Sequence, residues 1–185
     1  MSLPATPPAQ PRRHAPDHRS RCARQEQGPS EGAPLRWTWS YRSEAPAGEQ
    51  PAVVAAGRLL TDNDPDGDGV YTVLGIRGRR NGVRITGLVS AGEGIPGNVD
   101  TVTGLAYRVD NRIRNPEGGA AAAVGRLSTA GIGYSLADGS FSNLFDATFL
   151  NPPVTLDFHS VPPFPAGLQP PNSETAVLFQ ATLLG

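Results

Sequence analysis

From Leu35 onward, apolar and polar positions alternate with period two in short runs broken by Gly, Asp, Asn and Pro. Trp37, Trp39 and Tyr41 alternate with Thr38, Ser40 and Arg42, the pattern of a half-buried strand whose rings face a core. The stretch from Gly57 to Val89 reads as three successive strands. An acidic turn, Asp62 to Gly69, joins the first two, and Asn81-Gly82 joins the last two. Asn-Gly suits a type I′ hairpin turn, which requires positive φ at both central positions. In the middle strand Val70, Thr72, Leu74 and Ile76 are expected on one face and Tyr71 and Val73 on the other. Val83, Ile85 and Val89 line the return strand.

The same style continues to the C-terminus. Thr101 to Ile113 and Leu127 to Ala137 read as strands, the second closing at Asp138-Gly139. Phe141, Phe145, Ala147 and Phe149 mark another; Val154, Leu156 and Phe158 the next; Thr175 to Leu183 the last. No stretch carries a convincing helical period. The expected fold is all-β, a single antiparallel β-sandwich or up-and-down β-barrel of about eight or nine strands, with a meander as the default order. Residues 1–34 differ in kind, with seven prolines, five arginines and little to bury. They are expected to form a disordered tail, and residues 35–185 the domain.

Composition narrows the function. Sixteen basic residues, all arginine, balance seventeen acidic ones, so no global field is expected to recruit nucleic acid or anionic lipid. The lone Cys22 excludes an intramolecular disulfide and a multi-thiolate zinc site. No apolar run is long enough for a membrane-spanning helix, and the N-terminus lacks a signal-peptide pattern.

Six sets of residues invite chemistry. Asp62, Asp64, Asp66 and Asp68 alternate through D-N-D-P-D-G-D-G, which places carboxylates where a calcium ion could gather them. Thr72 to Leu74 occupy the place of an EF-hand's closing acid, so a simpler calcium turn is the expectation, with Asp100 or Asp110 as further donors. The alternative is a turn built from good turn formers. Gly92 to Gly97 match G-x-G-x-x-G, but Pro96 and Asn98 follow without helical period, which removes the dinucleotide reading. His159, with Asp157 two residues away and several serines nearby, reads as a surface histidine rather than part of a triad, since no nucleophile elbow is present. Glu93, Glu117 and Asp146 are available for paired-carboxylate chemistry, though nothing selects them. Arg77, Arg79, Arg80 and Arg84 surround the Asn-Gly turn and are expected to form a solvated positive tip. In the N-terminal segment His14, His18 and Cys22 have no framework to fix them as ligands.

The series W-T-W-S-Y (37–41), G-R-L-L-T-D (57–62), P-D-G-D-G-V-Y-T-V-L-G-I-R-G-R-R-N-G-V-R-I-T-G-L (65–88), V-D-N (109–111), G-I-G-Y-S-L-A-D-G (131–139) and P-P-F-P (162–165) resembles uncharacterised bacterial PEP-CTERM-type proteins, secreted β-domains sorted by exosortase. The likeness covers residues 35–185; the signal peptide and sorting tail of that group are not in this sequence. It implies an exported or cell-surface β-domain with a structural or matrix-binding role, and supplies no catalytic residues. The expected function is therefore non-enzymatic binding or structure, with calcium as the one candidate cofactor. The alternatives are a carbohydrate-active hydrolase and a barrel that binds a small ligand in its interior.

Overall fold

A computed structural model describes residues 32–43, 52–63, 65–66, 69–115, 127–164 and 172–184. The tail expected over 1–34, with His14, His18 and Cys22, lies almost wholly outside them. The chain is all-β. Eight strands close a barrel: β1 (Leu35–Ser43), β2 (Val54–Thr61), β3 (Val70–Arg80), β4 (Val83–Leu88), β8 (Ile132–Leu136), β9 (Phe141–Ala147), β10 (Val154–Ser160) and β11 (Ser173–Leu184). Every neighbouring pair is antiparallel and follows chain order, and β1 pairs with β11 to complete the circle. This settles barrel over sandwich and makes the meander literal. Between β4 and β8 the chain leaves the wall through β5 (Gly94–Val99), β6 (Ala106–Arg108) and β7 (Arg112–Arg114). β5 and β6 form a separate hairpin, and β7 pairs with the start of β3.

Turn chemistry set the register as expected. Asn81 and Gly82 both have positive φ, 45° and 82°, and Arg80 pairs directly with Val83. At the β8–β9 turn the Asp138 carboxylate accepts from the Ser140 amide at 3.0 Å, and Gly139 has φ 85°. Gly57 and Gly78 face each other across β2 and β3. A Cβ on Gly57 would stand 1.8 Å from the Arg77 carbonyl oxygen, so the two strands can approach only without one.

An eight-stranded barrel has an interior just wide enough for side chains to fill, and here they fill it. Trp37, Trp39, Leu59, Ile76, Ile85, Ile113, Ile132, Tyr134 and Val177 are all buried in one cluster. The Trp37 indole donates to Thr61 Oγ1 at 3.0 Å and meets Tyr71 edge-on, with ring centroids 5.6 Å apart. A second cluster sits outside the wall, where Ile95 of the β5–β6 excursion covers Phe145, Ala147 and Phe158. β9 is therefore buried on both faces. Ser142, Leu144 and Asp146 point into the barrel, while Asn143, Phe145 and Ala147 point under the excursion.

Three expectations need correction. In β3 the pairing with β2 shifts between Leu60 and Thr61, so that Thr61 meets Val73 and Leu60 meets Gly75. The extra residue turns Leu74 out to 57% exposure, and Val73 and Ile76 become the inward pair. Thr101 to Ile113 is not one strand. Asn111 adopts φ 53° and bridges β4 and β8, donating to the Val89 carbonyl at 2.7 Å and accepting from the Gly133 amide at 3.1 Å. Leu105 and Tyr107, which one continuous strand would place on the same face as Val109, are exposed whereas Val109 is buried. Finally, Arg80 is not part of a solvated tip. It lies on the inward face, 6% exposed, bonded through Nε and Nη2 to Asp157 Oδ2 at 2.9 and 2.7 Å.

Candidate functional site

The outward side chains of β9 do more than fill the second core. Between that strand and the excursion lies a cleft of about 580 Å3, within the usual range for small-molecule sites. Its inner wall is Asn143 and Phe145, with Ala130 and Thr129 from the segment entering β8. Its mouth carries Tyr107 and Arg108 of β6, Phe149 just beyond β9 and Glu174 of β11. Tyr107 and Phe149 are 53% and 69% exposed, rings that the fold leaves in water instead of folding into a core. Phe149, expected to continue the β9 pattern, lies past the end of that strand.

Two polar features order the cleft. The Asn143 Nδ2 donates to the Ala130 carbonyl at 3.1 Å, which fixes the orientation of the amide. Its Oδ1 is left buried without a partner. The Tyr107 hydroxyl donates to Asp100 Oδ2 at 3.2 Å, while Asp100 Oδ1 accepts from the amides of Thr103 at 2.7 Å and Val102 at 2.9 Å. The Thr103 and Val102 bonds hold the Asp100 carboxyl below its ordinary range, and the bond to Asp100 pushes the Tyr107 phenol up. Arg108 and Glu174 put one charge of each sign at the mouth.

The acidic turn is placed in part. Asp64 and Asp68 lie outside the described residues. Asp62 Oδ1 accepts from the Thr72 amide at 3.0 Å, and Asp66 Oδ1 from the Val70 amide at 3.0 Å. Asp66 Oδ2 also pairs with Arg112 at 2.9 Å. Asp100 serves its own loop as described, and Asp110 accepts from Ser128 Oγ at 2.6 Å. Among the described residues no three His, Cys, Asp or Glu side chains gather as a metal site.

His159 is a correction: it is half-buried and faces the barrel interior, with Nδ1 3.1 Å from Ser142 Oγ. Burial and the nearby Arg80 guanidinium lower its pKa. It completes a polar group at one end of the barrel, with Arg80, Asp157, and Tyr41 and Tyr134, whose hydroxyls lie 2.6 Å apart. Burial raises both phenols. This is not a catalytic triad. Asp157 is engaged by Arg80 and Ser142 is fully buried, out of reach of a substrate. Asp146 is also buried, bonded to Thr155 Oγ1 at 2.5 Å and to the Leu127 amide at 2.9 Å. The cleft itself brings a single carboxylate among its described lining, Glu174, where glycoside cleavage by a carboxylate pair needs two.

Sequence reasoning missed the cleft because its walls come from five separated segments, Asn98 of β5 among them. The one local signal was Asn143 amid the phenylalanines of β9, an amide on an otherwise apolar face. No family model matches the chain, and neither a curated protein nor a solved structure does.

Proposed function

We propose that this protein is a non-enzymatic binding module that seats a neutral sugar unit in the β9 cleft. The observation that supports the reading is the pairing of exposed aromatic rings with amide and charged groups around one concavity. A pyranose has the matching surface: C–H faces that pack on rings such as Phe149 and Tyr107, and hydroxyls that donate to Asn143 Oδ1 and Glu174 or accept from Arg108. A hydroxyl reaching Asn143 would also satisfy an acceptor that is costly to leave buried and unpaired. A surface-associated or matrix-binding role, as the family likeness implies, follows from such a site.

The reading is tested by titrating the full chain with a panel of neutral oligosaccharides and following heat or fluorescence. Phe149→Ala is the discriminating variant, because an exposed ring can be removed without disturbing the core. It is expected to weaken binding about tenfold, the order of one aromatic packing interaction. Asn143→Leu, similar in shape but without the acceptor, is expected to do the same. Saccharide binding unchanged in both variants would refute the site.

A further inference from the structure

On the side of the barrel away from β9, charge is sorted by strand. β1, β2, β3 and β4 contain seven arginines and no aspartate or glutamate; β8 to β11 contain Asp146, Asp157 and Glu174 and no arginine. Arg80 alone of the seven turns inward. Arg36, Arg42, Arg58, Arg77, Arg79 and Arg84 are on the outer wall. Among the described residues none of these six forms an ion pair, although Arg79 donates to the Gly82 carbonyl at 2.7 Å. The near-zero net charge of the chain conceals this separation.

The register makes the arrangement costly to the free protein. Arg58 stands directly opposite Arg77, and Arg79 directly opposite Arg84. Like charges opposed across a strand pair destabilise a sheet. Arg36, Arg58 and Arg77 also wall a cleft of about 280 Å3, floored by Leu60 and Gly75 beside the register shift of β2 against β3. Glycine there leaves a hollow beneath the guanidinium groups.

We infer that this wall binds an acidic polysaccharide, with a carboxylate or sulfate of the polymer held in the Arg36–Arg58–Arg77 cleft and its neighbours spread toward Arg79 and Arg84. Guanidinium forks match planar and tetrahedral oxyanions in bidentate fashion. Rows along a strand repeat at about 7 Å and adjacent strands at about 4.8 Å, so a polymer with charges at intervals can engage several arginines where one small anion engages only the cleft. The positions between the arginines are Thr38, Ser40, Ala56, Leu60 and Thr86, none of which supplies a ring for stacking bases. The outer wall of a barrel is convex and does not enter a duplex groove. The exposed aliphatic residues of these four strands are Val54, Leu60 and Leu74; Leu60 and Leu74 stand beside the arginine cleft, since Leu60 pairs with Gly75, and anionic vesicles are therefore among the competitors of the test. The inference stands on a different wall from the sugar cleft and does not depend on it.

The test uses the full chain and low-molecular-weight heparin as the probe, with duplex DNA and phosphatidylserine-containing vesicles as competitors. Heparin is expected to bind, and Arg58→Gln with Arg77→Gln to weaken it at least tenfold. The slope of log affinity against log salt should fall by about one for each arginine removed from the wall. The Arg58→Lys, Arg77→Lys pair should retain the charge but not the full affinity. Without heparin the Gln pair should melt no lower than the parent, because the repulsion between the two guanidinium groups is relieved; this separates loss of binding from loss of fold. Failure to bind heparin at low salt would overturn the inference. So would undiminished binding in the Gln pair, which would transfer the interaction to the arginines of the N-terminal segment. Tighter binding to DNA or vesicles than to heparin would reject the polysaccharide.

Discussion

Removing the Arg80 side chain tests how the barrel interior is held. Asp157 is 0% exposed, and both bonds it receives from Arg80 arrive at Oδ2, with Oδ1 already lacking a partner. Arg80→Met keeps much of the aliphatic volume and strands a carboxylate in the core. Breaking a buried pair in this way costs about 3–5 kcal/mol. A ceiling follows from proton uptake, since neutralising an ordinary carboxyl at pH 7 costs about 4 kcal/mol. The expected loss at pH 7 is therefore about 3–4 kcal/mol, measured as the shift in urea-unfolding free energy. Once the stranded group takes its proton, the penalty should shrink by about 1.4 kcal/mol for each pH unit below 7. The double variant Arg80→Met, Asp157→Leu should recover most of the loss, because an apolar pair of similar volume replaces the ions. A loss under about 1 kcal/mol, or one independent of pH, would refute the reasoning.

Gly57→Ala should destabilise by about 3 kcal/mol or more, because its Cβ would stand 1.8 Å from the Arg77 carbonyl oxygen and backbone must move; chemical denaturation checks this. His159 has a lowered pKa in the folded chain, caused first by burial and then by Arg80. The unfolded chain therefore takes the proton first: stability is full above the ordinary value of about 6.5 and is lost as pH falls through and below it. His159→Gln should flatten that part of the stability–pH curve. The calcium reading of the acidic turn predicts that a thermal melt in excess calcium is raised relative to chelator, by about 2.7 kcal/mol of stability at a hundred times Kd. Asp62→Asn should abolish the rise; an unchanged midpoint in the parent chain would leave those aspartates as turn formers.

The fold was legible where one face of a strand is wet and the other dry. Trp37, Trp39 and Tyr41 alternate with polar residues and point inward, and Asn81-Gly82 names its own turn. Alternation failed at Leu74, because one extra residue in β3 inverts every later side chain, and no local pattern marks a bulge. It failed again at Asn111, whose left-handed conformation is stabilised by partners more than twenty residues away. Arg80 was misplaced for a related reason. It alternates correctly with Arg79, but a charge at an inward position becomes plausible only when Asp157, from a distant strand, is seen to meet it. Closure of the barrel depends on β1 meeting β11, a pairing no short window reveals. Charge balance over the whole chain likewise hid the sorting of arginines onto β1–β4, which emerges once charges are counted strand by strand.

The saccharide reading of the β9 cleft is tested most directly by nuclear magnetic resonance of the full chain, with amide signals followed while a neutral oligosaccharide is added. The account predicts that shifts concentrate at the Asn143 side-chain amide and at the backbone of Tyr107, Arg108 and Phe149, with the β1–β3 wall unaffected. Shifts confined to other surfaces, or none with any sugar in the panel, would contradict it.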